Sequence, residues 1–441
     1  MPGGVSKTAL LYQKVLYQKL YPRYLNLPLL NYLVLKNIFR FFFSICLFFF
    51  LSASFNLHAQ GKNSDDHIVF INYPGFPEAH STWDDIGYSK EHNKVMIGVT
   101  NHSDKVVLYE YDVSEAQMNK QGALADLAHL RSFQWQGKIH SKFAEGPGGQ
   151  MYFSTDGGES REEYLMNHPH GYSGGFFMKW DPGKHELTNL GMGLQYESVK
   201  DIDVDYESGT IYGVTYPQAH FLVYNPAKNI LRDLGRLGSS HVPRVLFTDW
   251  WGNCYYVDWR QRLVKFDKQQ DGLVFAENSL PAFPGTPGGK IVTGITAYAK
   301  DQQNGVIYLI TYGAKILAFY PTKEGIGEVK DLGPIAQTGP KNLYDPYVPN
   351  LNIGTDGKLY YIIGGHGNYI IKDTTVLIRF DPQTKEQQIV YKFPVSEISE
   401  ATGSDTRDEE GNLYFAGRKD VKGHHGSSPF LIKFNPDKPV K

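Results

Sequence analysis

Four short stretches of this sequence carry the side chains best suited to moving protons. They are Lys138-Ile139-His140-Ser141-Lys142-Phe143, Asn167-His168-Pro169-His170-Gly171-Tyr172, Thr215-Tyr216-Pro217-Gln218-Ala219-His220 and His241-Val242-Pro243-Arg244. An imidazole titrates near neutrality and can serve as general acid or base, and a phenol can do the same beside a cation. A guanidinium grips a carboxylate or sulfate through two parallel hydrogen bonds. A base, a phenol and a cation together are what β-elimination from a uronic acid requires. The C6 carboxylate is neutralised, the acidified C5 proton is removed, and the leaving O4 is protonated.

What must bring these stretches together is a repeat. Seven segments share a Gly or Asn turn followed by an apolar strand, usually ending the motif in Tyr: Asn93-Lys94-Val95-Met96, Gly149-Gln150-Met151-Tyr152, Gly209-Thr210-Ile211-Tyr212, Gly252-Asn253-Cys254-Tyr255, Gly305-Val306-Ile307-Tyr308, Gly357-Lys358-Leu359-Tyr360 and Gly411-Asn412-Leu413-Tyr414. Each is followed by a second apolar strand ending in an aromatic and a turn former, from Tyr111-Asp112 to Phe434-Asn435. The spacing is that of a four-stranded blade, and the 30 Tyr and 26 Phe suit strands and tight turns. The sequence therefore predicts an all-β, seven-bladed β-propeller of four-stranded antiparallel blades over residues 60–441. The last blade lacks chain for its outer strand, so His67-Ile68-Val69-Phe70-Ile71-Asn72 is expected to supply it and cover the open edge. A stack of β-sandwiches is the competing architecture.

In that topology the loops from a blade's fourth strand to the next first strand, and from second to third strand, open on one face around the channel. The former hold His80, His140, His241, Arg244 and Asn350. The latter hold His102, His168, His170, Tyr172, Tyr216, His220, Arg260, His366, Tyr369, His424 and His425. Ten of 15 histidines thus fall on one face. The plain alternative is that loops are polar and histidine is polar.

A signal-like N-terminus, seven such blades, the Lys-Ile-His-Ser-Lys-Phe strand start at 138–143 and the Tyr216-Pro217 loop resemble the propeller-type polysaccharide lyases that act on ulvan. The resemblance implies a catalytic group of two His, one Tyr and one Arg, which maps to His140, His170, Tyr216 and Arg244. Arg232 fits the family's Tyr-to-Arg spacing better, but is expected on an outer strand. The enlarged 157–172 loop departs from a minimal blade, so His168 and His170 can exchange roles. His168, His220, Arg232, Arg260, Asn350 and His366 are the expected substrate-binding residues.

The N-terminal region bounds where the protein acts. An apolar core over 38–51 runs into Leu57-His58-Ala59-Gln60, which reads as a secretory signal cleaved near Ala59. The core is short for a bilayer span, so no stable membrane span is expected after cleavage, and a retained anchor is the alternative. Upstream stand Lys7, Lys14, Lys19, Arg23, Lys36 and Arg40 with no acid. Without those six the chain has 38 basic residues against 46 acidic ones, near −8, and no basic stripe, so nucleic acid is not an expected partner. Only Cys254 follows the signal, so an intrachain disulfide is not expected despite the oxidising destination.

The chain lacks Cys-x-x-Cys, Gly-x-Gly-x-x-Gly and phosphate-loop motifs, and the repeated Asp boxes of sialidase propellers. No cofactor is required by this chemistry. His168-Pro169-His170 or His424-His425 could join a third ligand in holding a structural metal ion. The expected activity is a secreted lyase on an anionic, uronate-containing and sulfated polysaccharide. Two rivals stand beside it: a propeller that only binds a glycan or protein, and a magnesium- and His-dependent lyase resembling the small propellers that open lactone antibiotics.

Overall fold

Runs such as Val106-Val107-Leu108-Tyr109 and Ile307-Tyr308-Leu309-Ile310 are apolar at successive positions, so both faces of those strands must be covered. The computed structural model describes residues 67–157, 171–237, 245–281, 294–312, 315–336, 348–364, 374–420 and 427–438. Over these the chain is all-β, with six sheets. Helix amounts to the turn Leu124–Leu127 and two short 3-10 turns among the described residues. The expected signal segment lies outside them.

Four of the six sheets are four-stranded antiparallel meanders taken in chain order. The first sheet along the chain is Ile86–Ser89, Lys94–Thr100, Val106–Asp112 and Gln117–Ala123; the third is Ser198–Val204, Ile211–Tyr216, His220–Asn225 and Ile230–Arg236. Second and third strands are buried on both faces, whereas fourth strands such as Glu186–Met192 are largely open to solvent. The expected turns close the third strands. Asp181 Oδ1 accepts from the Gly183 and Lys184 amides, and Asp381 Oδ1 from Gln383 and Thr384.

The largest sheet has eight strands, because two four-strand units touch along their first strands. Asn350–Ile353 runs parallel to Glu400–Ser404, pairing Asn350 with Gly403 and Leu351 with Ser404. At its far edge Ile68–Ile71 pairs antiparallel with Ser428–Phe434, from Ile68 opposite Phe434 to Ile71 opposite Leu431.

The apolar core is divided between sheets. Met96, Leu108, Phe153 and Trp180 fill the space between the first and second, and Tyr212, Val214, Cys254 and Phe266 that between the third and fourth. Ile86, Val95 and Tyr109 of the first sheet pack with Tyr414 and Leu431 of the last. Cys254 is buried and forms no disulfide, a small filler of the core between the third and fourth sheets.

Candidate functional site

The inner strand of the second sheet is broken in two. Lys138–Ile139 and Ala144–Glu145 both pair with Met151–Asp156, and His140 to Phe143 bridge the gap. Ser141 compensates for the break by accepting the Ser154 amide on its hydroxyl at 2.7 Å. Phe143 leaves the ladder to donate its amide to the Ile86 carbonyl of the first sheet at 3.3 Å. The two inner strands come so close there that a Cβ on Gly87 would strike the Phe143 carbonyl.

This break sends charged side chains to two depths of the channel. At the deeper level Lys142 Nζ donates to Asp201 Oδ2 at 3.0 Å and to the Ile202 and Leu246 carbonyls at 2.8 and 2.6 Å. Burial opposes its charge, but Asp201 and Asp203 outweigh burial and raise its pKa. Asp203 in turn accepts from the Thr248 amide and hydroxyl and lies 3.6 Å from Lys300. Burial works against the Asp203 carboxylate as well, yet Lys300 and Lys142 hold its pKa below the ordinary value.

At the upper level Asp156, at the end of its strand, is 2% exposed. It accepts from Lys200 Nζ at 2.6 Å and from the Ser198 hydroxyl at 2.8 Å. Burial alone would raise its pKa, but Lys200, Lys138 and His140 push it far below the carboxylate range. The Lys200 ammonium also stands 5.1 Å from the centroid of the Tyr216 ring. Tyr172 closes the group, with Ser198 at 3.5 Å and Gln136 at 3.2 Å from its hydroxyl. Burial, and then Asp156, push the Tyr172 phenol well above its ordinary value.

Of the expected catalytic residues, Tyr216 stands against Lys200, which Asp156 holds, and His140 acts electrostatically on the same Asp156. His140 lies beneath the surface, 2% exposed, with Nδ1 3.9 Å from Asp84 Oδ2. Tyr216 is half-buried at the rim, in cis linkage to Pro217. His170 and Arg244, with His168 and His366, lie outside the described residues. So do His241, Tyr369, His424 and His425. Among the described residues no three His, Cys, Asp or Glu side chains are grouped to hold a metal ion.

Three expected binding residues are placed elsewhere than the channel. Asn350 is a strand residue, fully buried, and its amide knits two inner strands together. Nδ2 donates to the Ile362 and Ala401 carbonyls at 3.0 and 2.9 Å, and Oδ1 accepts the Ile362 amide at 2.6 Å, so none of its polar atoms faces a ligand. Arg232 sits on the fourth strand Ile230–Arg236 and pairs at 2.6 Å with Asp271 of the next sheet's turn. His220 is held by Asp233 at 2.8 Å, toward the same outer strand. Arg260 is exposed on the rim, its guanidinium 4.7 Å from the Trp259 ring centroid.

Near the first and last sheets stand Trp83 and Arg418, which sequence reasoning passed over, beside the expected His80 and His102. Trp83 has Lys138 Nζ at 5.1 Å and the Arg418 guanidinium at 5.8 Å from its ring centroid. Arg418 is paired with Glu400 at 2.8 Å. The His102 ring stacks on His80 at 5.0 Å, and its pKa falls to about 4 through partial burial and then repulsion from Lys138, His80 and Arg418. Asp84 and His102 adopt positive φ, 63° and 59°, a conformation that non-glycine residues seldom take. Lys200, Asp156 and Trp83 carry no local motif, and only their pairing across strands marks them.

In structure the chain is similar to virginiamycin B lyase from Staphylococcus aureus, with a TM-score of 0.52 and 10% identity over 83% of this chain and 99% of that one. It is also similar to the WD40 repeats of RRP9 and to U3-55K, each with a TM-score of 0.51 and 9% identity over 85% of this chain and 99% of the other. No protein-family model and no curated protein sequence matches the chain. Fold and neighbours together define a β-propeller. At these identities the likeness concerns the fold alone, and none of the three neighbours is a polysaccharide lyase.

Proposed function

We propose that this protein is an exported polysaccharide lyase that cleaves a uronate-containing, sulfated polymer of the ulvan type at the upper mouth of a seven-bladed ring. For the architecture, the eight-stranded sheet is read as two blades, and Ile68–Ile71 as the outer strand of the last. The core shared by Ile86, Val95, Tyr414 and Leu431 supports that closure. Export rests on the apolar stretch and Ala59 site in the sequence.

The observation that carries the reading is the contact of Asp156 with Lys200 and of Lys200 with Tyr216, with His140 close enough to act on Asp156 electrostatically. Tyr216 is the member of that group at the rim, so it is assigned the proton transfer between substrate C5 and the departing O4. In the elimination the C5–H and C4–O4 bonds break and a C4=C5 double bond forms. Lys200, fixed by Asp156, holds the phenol ring in place, and His140 acts behind it as a positioning residue by adding to the positive field on Asp156. His170 and Arg244 are assigned the second acid–base role and the clamp on the C6 carboxylate. Their loops leave from Gly157 and Leu237, at the end of the sheets where Tyr216 stands. No metal enters this scheme.

The test is the ultraviolet absorbance of the unsaturated uronate when purified protein meets ulvan and a panel of other uronate polymers. Elimination that is abolished in Tyr216→Phe and survives a chelator supports the reading. Absence of elimination on every polymer, with glycan binding retained, leaves a binding propeller, and loss with chelator points to the metal-dependent class.

A further inference from the structure

The same face carries a second feature, a continuous rim of hydrogen-bonded loops crossing three sheets. The Tyr196 amide donates to the Ser173 carbonyl at 3.1 Å, and the adjoining Glu197 carboxylate accepts the Gln218 amide at 2.9 Å. Leu237 then donates to the Ala219 carbonyl, and Trp259 to the Leu237 carbonyl, each at 3.2 Å. The rim so built displays large rings to solvent: Tyr196 is 72% exposed and Trp259 53%. Neither ring is left out by accident of a loose loop. Tyr196 is held at φ 65°, and the turn of Trp259 is clamped by Asp258, which accepts the Arg260 and Arg262 amides and the Arg262 guanidinium.

Cations accompany these rings. Arg260 lies against Trp259, and Arg236 is anchored through Nε to the Gln218 carbonyl at 2.9 Å. Both arginines are exposed, and no carboxylate lies within ion-pair distance of either among the described residues. Arg232 and Arg379, by contrast, are paired with Asp271 and Asp356. An exposed ring offers a flat apolar face to the C–H face of a pyranose, and an unpaired guanidinium binds sulfate or carboxylate.

We infer that the rim from Tyr196 to Trp259 is an extended binding platform for an anionic polysaccharide chain, with Trp259 and Arg260 as its anchor. The inference deepens the proposed function: it rests on that reading's polyanionic glycan and is independent of elimination.

Binding of the full-length protein to ulvan, to chemically desulfated ulvan and to neutral dextran tests it by calorimetry. The Trp259→Ala/Arg260→Ala double variant and Tyr196→Ala are compared with Tyr206→Ala, an exposed ring outside the rim. The expected result is binding to ulvan that weakens about tenfold or more in the double variant, the scale of a lost aromatic or arginine anchor. Tyr196→Ala is expected to weaken it less, Tyr206→Ala not at all, and removal of sulfate to weaken the wild type. Equal binding by the double variant and wild type overturns the platform, as does an equal loss in Tyr206→Ala or an absence of binding to ulvan. If ulvan binds through the rim but is not cleaved, the lyase reading fails and the platform stands. If cleavage proceeds with unchanged KM in the double variant, the platform fails alone.

Discussion

The two levels of the channel use the same residue types to opposite ends. Around Lys142 every donor of a buried ammonium is matched by a carboxylate or carbonyl of the neighbouring inner strands, and the group is sealed. Around Lys200 the pairing with Asp156 is just as short, but the group ends on Tyr216 at the rim. A buried charge pair is therefore no mark of function by itself, since its cost can be offset entirely by structure. What separates the levels is whether the network terminates on a side chain that solvent or substrate can reach.

The sharpest way to break this contrast is to remove each lysine. Lys142→Met leaves Asp201 buried without its counter-charge and should cost about 3–5 kcal/mol of stability, seen as a lower denaturant midpoint. A wild-type midpoint would mean the deep network is not structural. At the upper level Tyr216→Phe should leave the midpoint unchanged and reduce elimination on ulvan by about a hundredfold or more, the scale of a lost acid–base group. A variant that stays fully active would put the proton transfer elsewhere.

Two smaller effects sharpen the picture. Asn350→Leu strands the Ile362 amide and two carbonyls, so a loss of about 1–3 kcal/mol with unaltered glycan binding is expected. Weakened binding without a stability loss would return Asn350 to the ligand. His102 has a folded pKa near 4, below the 6.5 of a free imidazole, so the unfolded chain takes up the proton first. Its contribution to stability is thus present above about 6.5 and is lost as pH falls toward 4. Following the His102 Cε1 proton by NMR across that range checks the value, and Lys138→Met should raise it.

How much of this was legible depended on whether the determining contacts were local. Each Gly-apolar-Tyr segment lies at the start of a second strand, and each aromatic-Asx pair closes a third, because turn chemistry and strand burial are written within a few residues. Those segments mark seven second strands, which the described chain gathers into six sheets. The sites were harder. His140 and Tyr216 stand out by residue type, but nothing near Lys200 announces Asp156, forty-four positions away. Asn350 misled because a polar side chain at the start of a strand looks like a ligand. In the fold it satisfies backbone groups of two strands at once.

The pairing of Ile68–Ile71 with Ser428–Phe434 has a consequence for how the protein is made. Nearly all the described residues lie between the two strands, so Ile68–Ile71 is translated well before its partner. Until then a short β-branched and aromatic strand waits with an unsatisfied edge, the composition that invites pairing with another chain. Asp65 and Asp66 precede it in sequence, separated from it by His67. Charged residues flanking such a strand in sequence disfavour its pairing with another copy.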